Sequence, residues 1–140
     1  MIRITDAHRD ARLAASRAQI DAGPAHGTIE LYDIAQPATL GAAPSGPPCA
    51  VITLAKPCGA IDGGYLTLAQ DDPAGDLIAT SSGPDGVTWA LVRDGNGTIV
   101  QDGTVSDNAV GATGDFKLSG SSGTRLFAGG YVLIGDFRLR

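Results

Sequence analysis

The stretch from Val87 to Val105, Val-Thr-Trp-Ala-Leu-Val-Arg-Asp-Gly-Asn-Gly-Thr-Ile-Val-Gln-Asp-Gly-Thr-Val, constrains the fold more than any other part of the chain. Val87, Trp89 and Leu91 alternate with Thr88, Ala90 and Val92, which is the period of a strand with two distinct faces. Asp94-Gly95-Asn96-Gly97 then supplies residues that tolerate a chain reversal, so Thr98 to Gln101 is predicted to pair back on the first strand. Trp89 is assigned to the inward face of this hairpin as a core anchor.

The rest of the chain is written in the same style. Twenty glycines and eight prolines among 140 residues favour many short strands joined by tight turns. Further strands are expected at Thr28 to Asp33, Cys49 to Ala55, Tyr65 to Ala69, Leu77 to Thr80, around Phe116 and Leu118, and at Tyr131 to Leu139. In the last of these, Tyr131, Leu133, Phe137 and Leu139 are read on one face, with Ile134, Asp136, Arg138 and Arg140 on the other. Gln36 to Pro48, with its four prolines, cannot supply a full set of backbone donors and reads as an exposed arm or a covering loop. About eight short strands of this kind predict an all-β domain, a two-sheet sandwich or jelly roll, with a barrel as the alternative. The Ser-Ser-Gly tripeptides beginning at 81 and 121 are too short to establish a repeat.

One helix precedes the strands. Thr5 or Asp6 can cap it, and Gly23-Pro24 stops it after Ala22. Ala7, Ala11, Ala14 and Ala18 form one stripe while Leu13 and Ile20 lie on the far side, so the helix is expected to pack closely through its alanines. The domain reading is a single unit over residues 1–140, with a helix at 5–22 and a β-sandwich at 27–140. At that length it buries roughly two thirds of its unfolded surface and needs no disulfide or metal to fold.

Net charge is −5, unevenly spread: the first twenty residues hold Arg3, Arg9, Arg12 and Arg17 against Asp6 and Asp10, and the remainder is acidic. An acidic body argues against nucleic acid as a partner, because tracking phosphates needs clustered Lys and Arg. The basic start suits an acidic protein surface instead. No apolar stretch resembles a signal peptide or approaches the ~20 residues of a membrane span, so the expectation is a protein made in the cytosol with no membrane partner.

Residues for chemistry are sparse. His8 and His26 stand apart from any GxSxG-type nucleophile motif. Cys49 and Cys58, with eight residues between them, match neither a CxxC pair nor a zinc spacing, leaving free buried thiols or a strained hairpin disulfide. The loop aspartates Asp71, Asp72, Asp76, Asp85, Asp94 and Asp102, with Asn96, have the oxygen chemistry for calcium. Asp94 to Thr98 even begins like an EF-hand loop, but Ile99 stands at its sixth position and Val105 at its twelfth. The aspartates are therefore read as turn residues. No catalytic, metal or cofactor residue is assigned, and an enzyme is not expected.

The order of pieces carries a resemblance. An Ala/Arg helix ending Asp21-Ala22-Gly23-Pro24 is followed by Gly27-Thr28-Ile29-Glu30-Leu31-Tyr32, then the Thr88 to Gly103 hairpin, then a glycine-rich approach to Tyr131 to Arg140. This layout resembles small virion proteins of tailed bacteriophages, the jelly-roll capsid cement (decoration) proteins such as those of short-tailed Bordetella phages. The resemblance implies a non-enzymatic structural protein, a homodimer, assembled in the host cytoplasm onto the capsid exterior. There it would bind major capsid protein and tie neighbouring capsomers together. Arg3, Arg9, Arg12 and Arg17 would be the protein-contact residues. A tail or host-adsorption module binding a glycan or receptor is the alternative.

Overall fold

The computed structural model describes residues 1–120 and 123–140, so the second Ser-Ser-Gly lies partly outside the described residues. Helix α1 spans Asp6–Ile20, followed by β1 Thr28–Tyr32, β2 Ala50–Asp62, β3 Tyr65–Gln70, β4 Asp76–Leu77, β5 Trp89–Arg93, β6 Ile99–Asp107, β7 Phe116–Ser119 and β8 Tyr131–Leu139. The class is all-β with one N-terminal helix. Pairing runs β3-β2-β1-β5-β6-β7-β8 and returns to β3 through Leu66 opposite Leu139 and Thr67 opposite Arg138. Seven strands thus close into a barrel-like ring. Closure removes the free edges that an open sheet must otherwise protect. Only β6 and β7 run parallel among these pairs.

The expected hairpin forms, with Trp89 opposite Thr104 and Leu91 opposite Asp102, and with a register shift between Val92 and Arg93 next to the turn. Its turn is locked by the Asp94 carboxylate, which accepts from the amides of Asn96 (2.9 Å) and Thr98 (2.8 Å), and by Gly97 at φ 83°. Gly95 matters for a different reason. A Cβ there would sit 2.1 Å from the Ala25 carbonyl oxygen, so the turn lies directly on the segment that follows the helix.

Strand β4 is not an edge. Asp76 and Leu77 pair with Val132 and Tyr131 of β8, and Ile78 bridges Ala50 at the start of β2. It therefore occupies the slot of β3, between β2 and β8, after the chain has looped out over residues 71–75. Side chains fill the broken ladder there. Gln70 donates from Nε2 to the Val132 carbonyl (3.0 Å) and to Asp76 Oδ2 (2.6 Å), and its Oε1 accepts from the Ile134 amide (3.1 Å). On the other side the Thr53 amide donates to Asp76 Oδ2 (3.2 Å). One glutamine thus offers β8 the donor and acceptor that a continuous strand would have supplied.

The ring encloses Ile29, Leu31, Ile52, Leu54, Leu66, Val92, Phe116 and Phe137, all buried, with the two phenylalanine rings tilted at 5.0 Å. Trp89 is buried but belongs elsewhere. The inward residues of β5 are Ala90 and Val92, while Trp89 and Leu91 form a second cluster with Tyr32 on the opposite face. Val87 precedes the strand and turns into the main core, so it does not share a face with Trp89. Both faces of β5 are covered, and alternation alone cannot say which side is the interior.

Two further face assignments are corrected. The helix packs through Leu13 and Ile20, both buried against β2 and β3, whereas Ala7, Ala11, Ala14 and Ala18 are exposed. Burying one leucine and one isoleucine removes far more apolar area from water than a row of methyl groups would, so these two residues decide the docking. In β8, Val132 and Ile134 face inward before Gly135, and Phe137 and Leu139 after it, leaving Tyr131 and Leu133 exposed. The cause is a bulge: Lys117 faces Asp136 but Leu118 faces Ile134, so Gly135 is an extra residue that inverts the parity.

Candidate functional site

Helix α1 starts where Thr5 Oγ1 accepts from the His8 amide (3.2 Å) and ends at Asp21, whose Oδ1 accepts from the Cys58 amide (2.9 Å). Lys56 then ties down the following segment, donating from Nζ to the carbonyls of Gly23 (2.6 Å) and Ala25 (3.0 Å). His26 Nδ1 donates to the Leu54 carbonyl (2.7 Å), which fixes its proton on that nitrogen and gives it a structural task. These bonds clamp the helix against β2, so its outer face is presented rigidly.

The four arginines of that helix region separate into two kinds. Arg9 folds back: it pairs with Asp6 (3.1 Å) and lies near Asp10 (3.8 Å), and its guanidinium covers Gly64, where a Cβ would meet Arg9 Cζ at 2.7 Å. Arg17 is half-buried on the docking side. Arg12 on the helix and Arg3, which precedes it, are exposed and form no ion pair among the described residues.

Trp89 sits in a well-ordered polar frame. Its ring stacks on Tyr32 at 4.5 Å and 13°, and its Nε1 donates to the Ile34 carbonyl (2.7 Å). The Tyr32 hydroxyl donates to Glu30 Oε2 (2.6 Å), and Glu30 Oε1 accepts from Arg93 Nε (2.9 Å). Burial, and then the neighbouring Glu30, hold the Tyr32 hydroxyl well above its ordinary range. Ile34, just ahead of the proline-rich segment, thereby covers Trp89, and the segment itself, including Leu40, is largely exposed. This arrangement is packing, with no open face on the indole for a ligand.

Asp72, Asp76 and Asp94 spend carboxylate oxygens on backbone amides, while Asp102 lies in strand β6. Asp94 holds its own turn, hydrogen bonds from Thr98 and Asn96 lowering its pKa, and Asp72 Oδ1 accepts from the Ala74 amide (2.8 Å). Among the described residues no group of three or more His, Cys, Asp or Glu gathers for a metal. Cys49 and Cys58 are free and buried, and burial pushes their thiols up to about 11 and about 12. Among the described residues no helix is long and apolar enough to cross a membrane.

One feature escaped the sequence reading. An open cleft of about 600 Å³ lies on the outer wall, with Tyr65, Arg138 and Arg140 on one side and Lys117, Asp102 and Asp115 among its other lining residues. The Arg140 guanidinium lies 4.9 Å and that of Arg138 5.6 Å from the Tyr65 ring centroid. The Arg-x-Arg spacing at 138 and 140 on a strand was the available signal, since it places both side chains on one face. What it lacked was the partner strand, which lies some seventy residues earlier in the chain. Compared with known protein families, with characterised proteins and with solved structures, the chain gives no match.

Proposed function

We propose that this chain is a non-enzymatic capsid cement (decoration) protein that binds the exterior of an assembled phage capsid and holds neighbouring major capsid protein subunits together, acting as a homodimer. The observation that carries this reading is the outer side of α1, where the alanine stripe and Arg12 are exposed, together with exposed Arg3 just before the helix. Small side chains let a partner surface approach closely, and each planar guanidinium can make two hydrogen bonds to one carboxylate. Such contacts are individually modest. Repeated around a closed shell they add, so no single interface has to be tight. The closed ring supports the same reading, since a molecule displayed in many copies with no free strand edge resists edge-to-edge association. In this proposal the ring is a variant of the family's eight-stranded jelly roll, and neither nucleic acid nor membrane is a partner.

The test is attachment to capsids that lack the protein. The paired substitution Arg3→Gln and Arg12→Gln should leave the fold intact, because exposed charges contribute only about 0–1 kcal/mol each to stability. It should weaken attachment, and the wild-type protein should lose affinity as salt rises. Attachment of the variant at wild-type strength would move the contact off the helix. Fractionation of virions separates the adsorption alternative: location on the tail in a few copies would replace the cement reading.

A further inference from the structure

Two basic residues near the end of the chain, Arg138 and Arg140, stand on the seam that closes the ring. Leu66 faces Leu139 and Thr67 faces Arg138, a register that sets Tyr65 across from Arg140 and puts Tyr65, Thr67, Arg138 and Arg140 on the outer surface together. Arg140 Nη2 also donates to the Tyr65 hydroxyl, which fixes the pair. Arg9 reaches the same place from the helix: with Gly63, Gly64, Tyr65 and Arg140 it lines an adjoining recess of about 290 Å³. Lys117 of β7, the strand paired with β8, also lines the cleft. Three of the chain's ten basic residues, Lys117, Arg138 and Arg140, therefore line one cleft of a protein whose net charge is −5, and Arg9 lines the recess beside it.

The cleft is not uniformly basic. Asp102 lines it, and so does Asp115, whose Oδ2 is held by the Thr104 amide and hydroxyl (both 2.9 Å). These carboxylates would repel a dense polyanion such as nucleic acid or polyphosphate. They suit a ligand that carries hydroxyls between well-spaced negative charges, because hydroxyls need acceptors as well as donors. The guanidinium forks supply donors matched to a carboxylate. Gln101 and Thr113 add neutral hydrogen-bonding groups along the wall, and the volume falls in the range of small-ligand clefts, roughly 300–1,000 Å³.

The geometry points to this cleft as a binding site for an acidic saccharide, a short run of hydroxylated rings bearing carboxylates, with Arg138, Arg140 and Lys117 engaging the carboxylates. The site is separate from the outer face of α1, and its test needs no capsid. Trigalacturonate titrated into the full chain should bind by calorimetry. Maltotriose, its uncharged counterpart in size, and sodium sulfate, a bare anion, should each bind at least about tenfold more weakly. The double substitution Arg138→Gln and Arg140→Gln should reduce trigalacturonate affinity by roughly tenfold or more, and Lys117→Gln should weaken it independently, with Arg125→Gln as a charge-matched control. Should the double variant fail to fold, Lys117→Gln carries the decision. Absence of trigalacturonate binding, equal affinity for maltotriose, sulfate binding as tightly, or undiminished binding by folded variants would each overturn the assignment.

Discussion

Trp89 is held by a stacked ring, a hydrogen bond to the Ile34 carbonyl and full burial, so removing it takes away three supports together. Trp89→Ala is expected to cost about 3–5 kcal/mol, read as a large fall in the denaturation midpoint. Trp89→Phe keeps a stacking ring but leaves the carbonyl without its donor, and should cost less, by about 1–3 kcal/mol. The two thiols make a second test at this scale. Their folded pKa values, about 11 for Cys49 and about 12 for Cys58, lie above the ordinary 9.0. The unfolded chain therefore releases these protons first. The stabilisation is complete below pH 9 and is lost as pH rises from 9 toward 11 and 12. Replacing both by Ala should flatten that alkaline decline, measured as unfolding free energy against pH. Burial of the cysteines was legible from their apolar surroundings and their lack of a metal spacing. The side of the strand that Trp89 occupies was not, because the Tyr32 cluster that covers it comes from residues 57 positions earlier in the chain.

At the level of elements, the helix and the interrupted strand show where pattern and packing part. The helix and its cap were readable from Thr5, Asp6 and Gly23, yet the alanine stripe pointed to the wrong side because contacts made by two large residues outweigh those of four small ones. Leu13→Ala should cost about 2–5 kcal/mol, whereas Ala14→Gln should stay within about 0.5 kcal/mol; comparable losses at both positions would contradict the observed docking. Gln70 offered no pattern at all, since its role arises only when β2, β4 and β8 surround it. Gln70→Ala should lower stability by about 1–3 kcal/mol through the unpaired groups it leaves behind. Gln70→Glu should be worse than Ala near neutral pH, because it faces the Asp76 carboxylate, and its deficit relative to wild type at each pH should shrink on acidification as one carboxyl takes up a proton.

For the whole molecule, the strand count, the class and the single helix were legible from turn residues and period-2 runs, but the closure was not. Whether Leu66 meets Leu139 depends on the shared twist of seven strands, a property that no local window of sequence contains. A ring has no end from which to fray. Trp89 fluorescence, reporting the β1–β5 wall, and far-UV circular dichroism, reporting every strand, are therefore expected to share one midpoint on denaturation. Separate midpoints would mean that the seam opens while the wall still stands.

The gap between β3 and β4 has a practical side. Because Gln70 and Asp76 complete the strand pairing across it, exposed Asp72, Pro73 and Ala74 of the 71–75 loop lie outside a wall already sealed behind them. Lengthening such a loop costs little in chain entropy, only about 0.6 kcal/mol for each doubling. A foreign peptide spliced in at Pro73 would accordingly be carried on the outside like a pennant on a mast, its sequence free to vary while the barrel below keeps its register.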